Sequence, residues 1–161
     1  MKTGFPMIAD QDTRLFILGS LPGDRSLARG QYYAHHSNQF WKLVGALIDQ
    51  PLPNLDYGER LAVLRSAGIG LWDVYHAAHR DGSGDSAIRA AQANPIQTLR
   101  AEFPRLEAIA FNGGSAAKEG NRLLPGVSGF QLYDLVSSSG LARMPLPEKI
   151  KQWNVLARHL K

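Results

Sequence analysis

A chain of 161 residues, 44% of them apolar, can build one domain with a real core but is too short for two. It has no cysteine, which excludes disulfide frameworks, thiolate zinc sites and cysteine-ligated iron–sulfur clusters and suits a reducing compartment. Lysine and arginine number 18 against 14 acidic residues, a formal charge of +4 that suits an anionic partner without requiring one.

Residues 1–12 hold one lysine and no apolar run, so they read as a loosely ordered start rather than a secretory signal. No apolar run is long enough to cross a membrane. The expectation is a single cytoplasmic domain over residues 1–161. Apolar runs at 15–18, 69–74, 106–111 and 130–136 read as strands covered on both faces. Between them, Phe40, Val44, Leu47 and Ile48 share one helical stripe, and Leu61, Leu64 and Arg65 lie on a helix that should stop near Gly68. Ile96, Leu99 and Phe103 suggest a third helix and residues 116–124 a fourth. The last places Pro147 in its first turn and carries Leu146, Ile150, Trp153, Leu156 and Leu160 on one face. Strands alternating with helices predict a three-layer α/β/α sandwich around a central four-stranded, mainly parallel sheet. Ligands of such folds bind beyond the carboxyl ends of the strands, so the segments there come first.

The loop Gly19-Ser20-Leu21-Pro22-Gly23 leaves the first strand without the Gly-Lys-Ser/Thr of a phosphate-binding loop, and alone it reads as a structural turn. His35 and His36 are adjacent, so their side chains are expected to diverge. His76 and His79, with Asp81 and Asp85 nearby, read as exposed loop histidines rather than a metal site. Residues 81–85 read as an ordinary surface loop. Near the C-terminus Arg143, Lys149, Lys151, Arg158 and Lys161 face only Glu148, as either a solvated helix face or one rim of a phosphate-binding surface.

Taken together, Gly19-Ser20-Leu21-Pro22-Gly23, then Tyr32-Tyr33-Ala34-His35, then Asn38, Phe40 and Trp41, closely resemble the first motif of the hypoxanthine-DNA glycosylases, family 6 of the uracil-DNA glycosylase superfamily. The resemblance continues through residues 70–74, through Gly82, Ser83, Asp85, Ser86 and Ile88, and through Phe111-Asn112-Gly113 to the serine cluster 137–139, so it covers nearly the whole chain. It implies the superfamily's α/β/α fold and a monofunctional, metal-free and cofactor-free DNA glycosylase. The implied enzyme acts as a monomer on double- or single-stranded DNA carrying a deaminated base, hypoxanthine foremost and uracil as its rival. A non-catalytic DNA-binding module on the same fold is the alternative of another class.

Cleaving a deoxynucleoside builds positive charge on the sugar and negative charge on the departing base. Water then needs placing more than deprotonating. The resemblance gives that task to Asn38, whose carbonyl can orient water while its amide donates to the base. Asparagine is also a good helix cap, though Ser37 is there to cap instead. Tyr33 is implied as a platform for the flipped base, or packs as a half-exposed tyrosine. Ser20 bonds water or base, or closes a turn. Gly19 lets the base approach, and Asn112 either reads the base or marks a turn. Ser137, Ser138, Ser139 and Gly140 are implied to grip phosphates, Leu141 to wedge into the vacated stack and Arg143 to add charge; together they also read as a polar loop. This segment departs from family 6 at Val136 and Gly140 and is closer there to the mismatch-specific branch. The chain also lacks a His-Pro-Ser motif that would stabilise the leaving base. Turnover is therefore expected to be slower than in enzymes that have one, and single-turnover excision of uracil as fast as theirs would contradict this.

Overall fold

The computed structural model describes residues 1–126 and 129–161. In chain order its strands are β1 (Lys2–Thr3), β2 (Leu15–Gly19), β3 (Ile69–Asp73), β4 (Tyr75–His79), β5 (Arg89–Ala93), β6 (Ala108–Asn112) and β7 (Gln131–Leu135). Its helices are α1 (Asp24–Arg29), α2 (Phe40–Ile48), α3 (Tyr57–Ala67), α4 (Leu99–Glu102), α5 (Gly114–Leu123) and α6 (Leu146–Trp153).

The central sheet runs β3-β2-β6-β7 with every neighbouring pair parallel. Strands β2, β3 and β6 are buried at every position, because helices cover both faces and leave no polar alternation to read. Strand alternation sorts the core. Leu15 and Ile17 join Phe40, Leu43 and Val44 of α2, Leu64 of α3 and Trp153 of α6 on one face. Phe16 and Leu18 join Leu99 of α4, Phe103, and Ala116 and Ala117 of α5 on the other. This is the expected three-layer sandwich. Helix α3 opens with an Asp56–Glu59 capping box and ends at Gly68, as its spacing predicts.

The sequence pattern missed a second, antiparallel sheet of β1, β4 and β5. Every residue of β5 is exposed, so it carries no apolar signature. The same sheet corrects the view of residues 1–12 as loose. Lys2 and Thr3 pair with Ala78 and Ala77, Ile8 bridges Leu71, and the Tyr32 hydroxyl donates to the Pro6 carbonyl at 3.0 Å. His76 and His79 stand exposed on a strand rather than in a loop. Helix α1 was also missed. The expected helix through Ile96 and Phe103 is a 3-10 turn (Ile96–Thr98) followed by the single turn of α4. The last helix tightens into a 3-10 segment after Trp153. Among the described residues no helix is long and apolar enough to cross a membrane.

Trp153 is fully buried, and its indole N–H donates to the Val136 carbonyl at 3.0 Å, tying α6 to the exit of β7. Trp153→Ala is expected to lower unfolding free energy by about 3–5 kcal/mol in urea titrations.

Candidate active site

A cavity of about 550 Å³ opens at the carboxyl ends of the parallel strands, a size suited to a small organic ligand. Its wall includes Gly19 and Ser20 after β2, Asp73 at the end of β3 and Asn112 at the end of β6. It also takes in Ser137–Leu141 after β7, Tyr33, His35 and Asn38 before α2, Ser83–Asp85, and Arg25 of α1. Volume alone does not select it, since a groove of about 620 Å³ lies elsewhere, walled largely by aliphatic residues such as Leu47, Ile48 and Val63. Converging polar groups do.

Three side chains from distant segments share one hydroxyl. Ser138 Oγ donates to Asn38 Oδ1 at 2.8 Å and accepts from Asn112 Nδ2 at 2.9 Å. The Ser138 amide donates to Asn112 Oδ1 at 2.8 Å, and the Gln39 amide to the Ser138 carbonyl, also at 2.8 Å. Asn112 is therefore a buried strut rather than an exposed turn residue. Asn38 Oδ1 also accepts the Phe40 N–H at 2.9 Å. The two readings of Asn38 are thus not exclusive: one residue ahead of the Gln39 N-cap, its carbonyl takes up the first amide of α2, and it still lines the cavity. Ser37 does not supply that cap; its hydroxyl bonds His35 Nδ1 at 2.9 Å. With both carbonyl lone pairs of Asn38 engaged, its Nδ2 is the group left open.

Ser20 neither closes a turn nor stands free, because its hydroxyl donates to Asp85 Oδ1 at 2.6 Å. Ser83–Asp85 are accordingly part of the cavity wall, which corrects the reading of residues 81–85 as an ordinary surface loop. Arg80 holds them there. Its buried guanidinium donates to the carbonyls of Leu21, Pro22 and Gly82, clipping this loop to the one after β2.

Tyr33 has a left-handed backbone (φ 55°), a strained state that surrounding contacts must enforce. Its ring stacks on Phe40 at 3.9 Å, its carbonyl accepts the Trp41 indole N–H, and its hydroxyl accepts from Asn112 Nδ2 at 3.3 Å. One ring face is thus committed to Phe40 while the residue lines the cavity. Burial, then the Asp73 charge, raises the phenol well above its usual range and keeps it protonated.

The segment 137–143 divides. Ser138 is buried and spent in the strut, so it does not offer its hydroxyl to a phosphate. Ser137 Oγ accepts the Ser139 amide and Ser139 Oγ the Leu141 amide, which leaves both hydroxyl hydrogens available to an outside acceptor. Gly140 packs on Ser37 so closely that a Cβ would lie 2.6 Å from the Ser37 carbonyl oxygen. Leu141 is 90% exposed at the rim. Arg143 is exposed too but lies outside the cavity wall. Lys149, grouped by sequence with a basic surface, is buried, and its ammonium bonds Gln39 Oε1 at 2.7 Å and the Ser139 carbonyl at 3.0 Å. Lys161 is paired with Asp12 at 3.7 Å, so the C-terminal cations do not form a single rim. The rings of His35 and His36 stack at 4.6 Å instead of diverging.

Asp73 falls within the resembling stretch 70–74, which by itself gives it no role. It is 4% exposed, and its Oδ2 is sealed off with no hydrogen-bond partner. Burial and then the nearby Asp85 charge raise its carboxyl to about 7, against an opposing pull from Arg80. Among the described residues no three potential ligands cluster as a metal site.

A family model described as the uracil DNA glycosylase superfamily matches residues 5–160. A hypoxanthine DNA glycosylase of Methanosarcina acetivorans is 40% identical over 159 residues, covering 99% of each chain. Another, of Methanosarcina barkeri, is 39% identical over 152 residues, covering 94% of this chain and 95% of that one. The solution NMR structure of a uracil DNA glycosylase candidate from Methanosarcina acetivorans superposes with a TM-score of 0.87 at 40% identity, covering 98% and 97% of the two chains.

The raised Asp73 carboxyl has a consequence for stability. The folded chain keeps that proton until about pH 7, whereas an unfolded aspartate loses it near 3.8. The native state therefore binds more protons in that window, and stability is lost as pH rises through it. Asp73→Asn should flatten this component in urea unfolding measured at a series of pH values.

Proposed function

The chain belongs to the uracil DNA glycosylase superfamily, and from that premise we propose that it hydrolyses the N-glycosidic bond of deoxyinosine in DNA, leaving an abasic site. Membership over nearly the whole chain makes it a DNA glycosylase, and its substrate is DNA. Hypoxanthine is the preferred lesion on the strength of two near-full-length relatives named for it. The enzyme works as a monomer in the cytoplasm, without metal or cofactor.

The observation that carries the mechanism is the fixed carboxamide of Asn38 in the cavity wall. The bond between sugar and base breaks with its electron pair leaving on the base, and the sugar carbon becomes cationic. A water molecule completes the reaction. One of its lone pairs accepts from Asn38 Nδ2 while the other faces the cation. Its protons are held by an acceptor such as the Asp85 oxygen that Ser20 leaves free. This revises the expected role of the Asn38 carbonyl, which Phe40 and Ser138 already occupy. Tyr33 backs the flipped base, with Phe40 behind it, and Asn112 keeps Tyr33 and Ser138 in place. Gly19 supplies clearance. On the rim, Ser137 and Ser139 offer hydroxyl hydrogens to phosphates, Gly140 lets the loop close on Ser37, Leu141 fills the vacated stack, and Arg143 adds charge to the DNA-facing side.

The test is single-turnover cleavage, developed with alkali, of labelled duplexes carrying inosine, xanthine, uracil or mismatched thymine. Inosine is expected to be cut fastest. Asn38→Ala is expected to slow cutting by about 100-fold or more while binding the inosine duplex as tightly as the parent. Tight binding by the parent with no cutting of any duplex would turn the reading toward a non-catalytic DNA-binding module.

A further inference from the structure

Asp73 is the one acid in the cavity wall that the mechanism above leaves without work. It stands at the end of β3 directly across from Gly19 at the end of β2. Its backbone is pinned, since the Asn94 amide side chain donates to its carbonyl at 2.8 Å and is itself buried. Its side chain has no such tie. Oδ2 is shut away from solvent without a hydrogen-bond partner. A Cβ on Gly19 would sit 2.6 Å from Asp73 Oδ1 and 3.0 Å from the Tyr33 hydroxyl, so the bare glycine lets these two groups converge on the cavity.

An ionised carboxylate held this way would be costly, because no hydrogen bond compensates it and burial with the Asp85 charge outweighs the pull of Arg80. The surroundings deepen that cost. Asp85 approaches from the loop after β4 with a like charge, and the Tyr32 and Tyr33 phenols pack nearby as neutral groups. Arg80, the cation that faces Asp73, spends hydrogen bonds on the carbonyls of Leu21, Pro22 and Gly82. A neutral carboxylic acid fits this environment and, unlike a carboxylate, has a hydrogen to donate.

We propose that Asp73 is a catalytic residue that, as a neutral acid, donates a hydrogen bond to the departing base. The proposal rests on the glycosylase reading and deepens it. As the glycosidic bond breaks, its electron pair settles on the base, and the Asp73 O–H stabilises the charge at a ring nitrogen or oxygen. The proton stays on Asp73. Water adds to the sugar carbon, one of its hydrogens remains in the new hydroxyl, and the other neutralises the base through solvent. One water is consumed, and the products are an abasic sugar and the free neutral base. A preorganised donor at this position acts on charge that exists only as the bond breaks, so it accelerates the step rather than merely tightening binding.

Single-turnover cleavage of an inosine duplex is measured from about pH 5 to about pH 9 for the parent, Asp73→Asn and Asp73→Leu. The parent rate is expected to fall by about tenfold per unit on an alkaline limb as the donor ionises. Asp73→Asn keeps a donor that does not titrate, so it should hold the rate within about tenfold and lose that limb. Asp73→Leu has no donor and should be slower by about 100-fold or more at about pH 6, with duplex affinity and thermal unfolding close to the parent. A leucine variant as fast as the parent overturns the proposal, as does an alkaline limb that survives in the asparagine variant.

Carbon-13 NMR of the Asp73 carboxyl reads the same group without needing activity. It should titrate near neutrality, and at higher pH when free hypoxanthine is present. A midpoint in the ordinary aspartate range, or one indifferent to hypoxanthine, overturns the proposal. If the parent cuts no lesion duplex, the glycosylase reading fails on its own evidence. If it cuts inosine and Asn38→Ala does not, while both Asp73 variants match the parent, only the role of Asp73 falls.

Discussion

The hydroxyl of Ser138 is the point on which the cavity is built. It donates to Asn38 and accepts from Asn112, so the segment before α2, the end of β6 and the loop after β7 meet at one buried oxygen. Apart, buried Asn112 and half-buried Asn38 would each be short of a hydrogen bond; together they are satisfied. The bonds are directional, so they fix orientation as well as position. Asn38 cannot turn its carbonyl into the cavity without giving up Phe40 or Ser138, and Asn112 reaches Tyr33 with the same amide that holds Ser138. Lys149 reinforces the arrangement from behind. By bridging Gln39 and Ser139, it ties the residue that follows Asn38 to the residue that follows Ser138.

The second sheet does a comparable job on the opposite wall. Strands β4 and β5 do not contribute a catalytic side chain, yet the loop between them carries Asp85 to Ser20. Arg80, at the end of β4, bonds carbonyls on both loops and so sets the gap between them. The N-terminal strand closes the edge of that sheet, and Lys2 reaches both Asp24 and the Gly82 carbonyl. Segments without chemistry of their own thus decide where a carboxylate sits.

What could be read from the sequence follows burial. Strands β2, β3 and β6 announce themselves because both faces are covered, whereas exposed β5 leaves no periodic trace. Motif resemblance pointed to Asn38, Ser20, Tyr33, Gly19 and Asn112, and all five line one cavity. Their partners were out of reach, because hydrogen bonds such as Ser138–Asn38 span a hundred positions and have no local signature. Lys149 misled for a related reason. Among other lysines and arginines it looks like surface charge, and only the fold shows an ammonium group enclosed beneath a serine loop. Asp73 and Asp85 were visible as letters in two motifs, but their significance lies in proximity to each other, which follows from pairing β3 with β2 and clipping the loop with Arg80.

The placement of charge gives the cavity its chemical direction. Its wall carries two acids, Asp73 and Asp85, against one arginine, Arg25, and one histidine, His35. That is a poor lining for a phosphate, and on the proposed reaction it is Asp85, with Asp73 neutral, that can favour a sugar carbon turning cationic. On the proposed reading the phosphates are met outside it, where Ser137 and Ser139 are neutral donors on the rim. Because Ser137 and Ser139 accept amide hydrogens through their own oxygens, both hydroxyl hydrogens are left available as donors. On that reading, a largely neutral grip on the backbone would keep cations away from the acids inside, so attraction for the nucleic acid would not erode the field that stabilises bond breaking. The modest excess of basic over acidic residues in the whole chain is consistent with that division of labour.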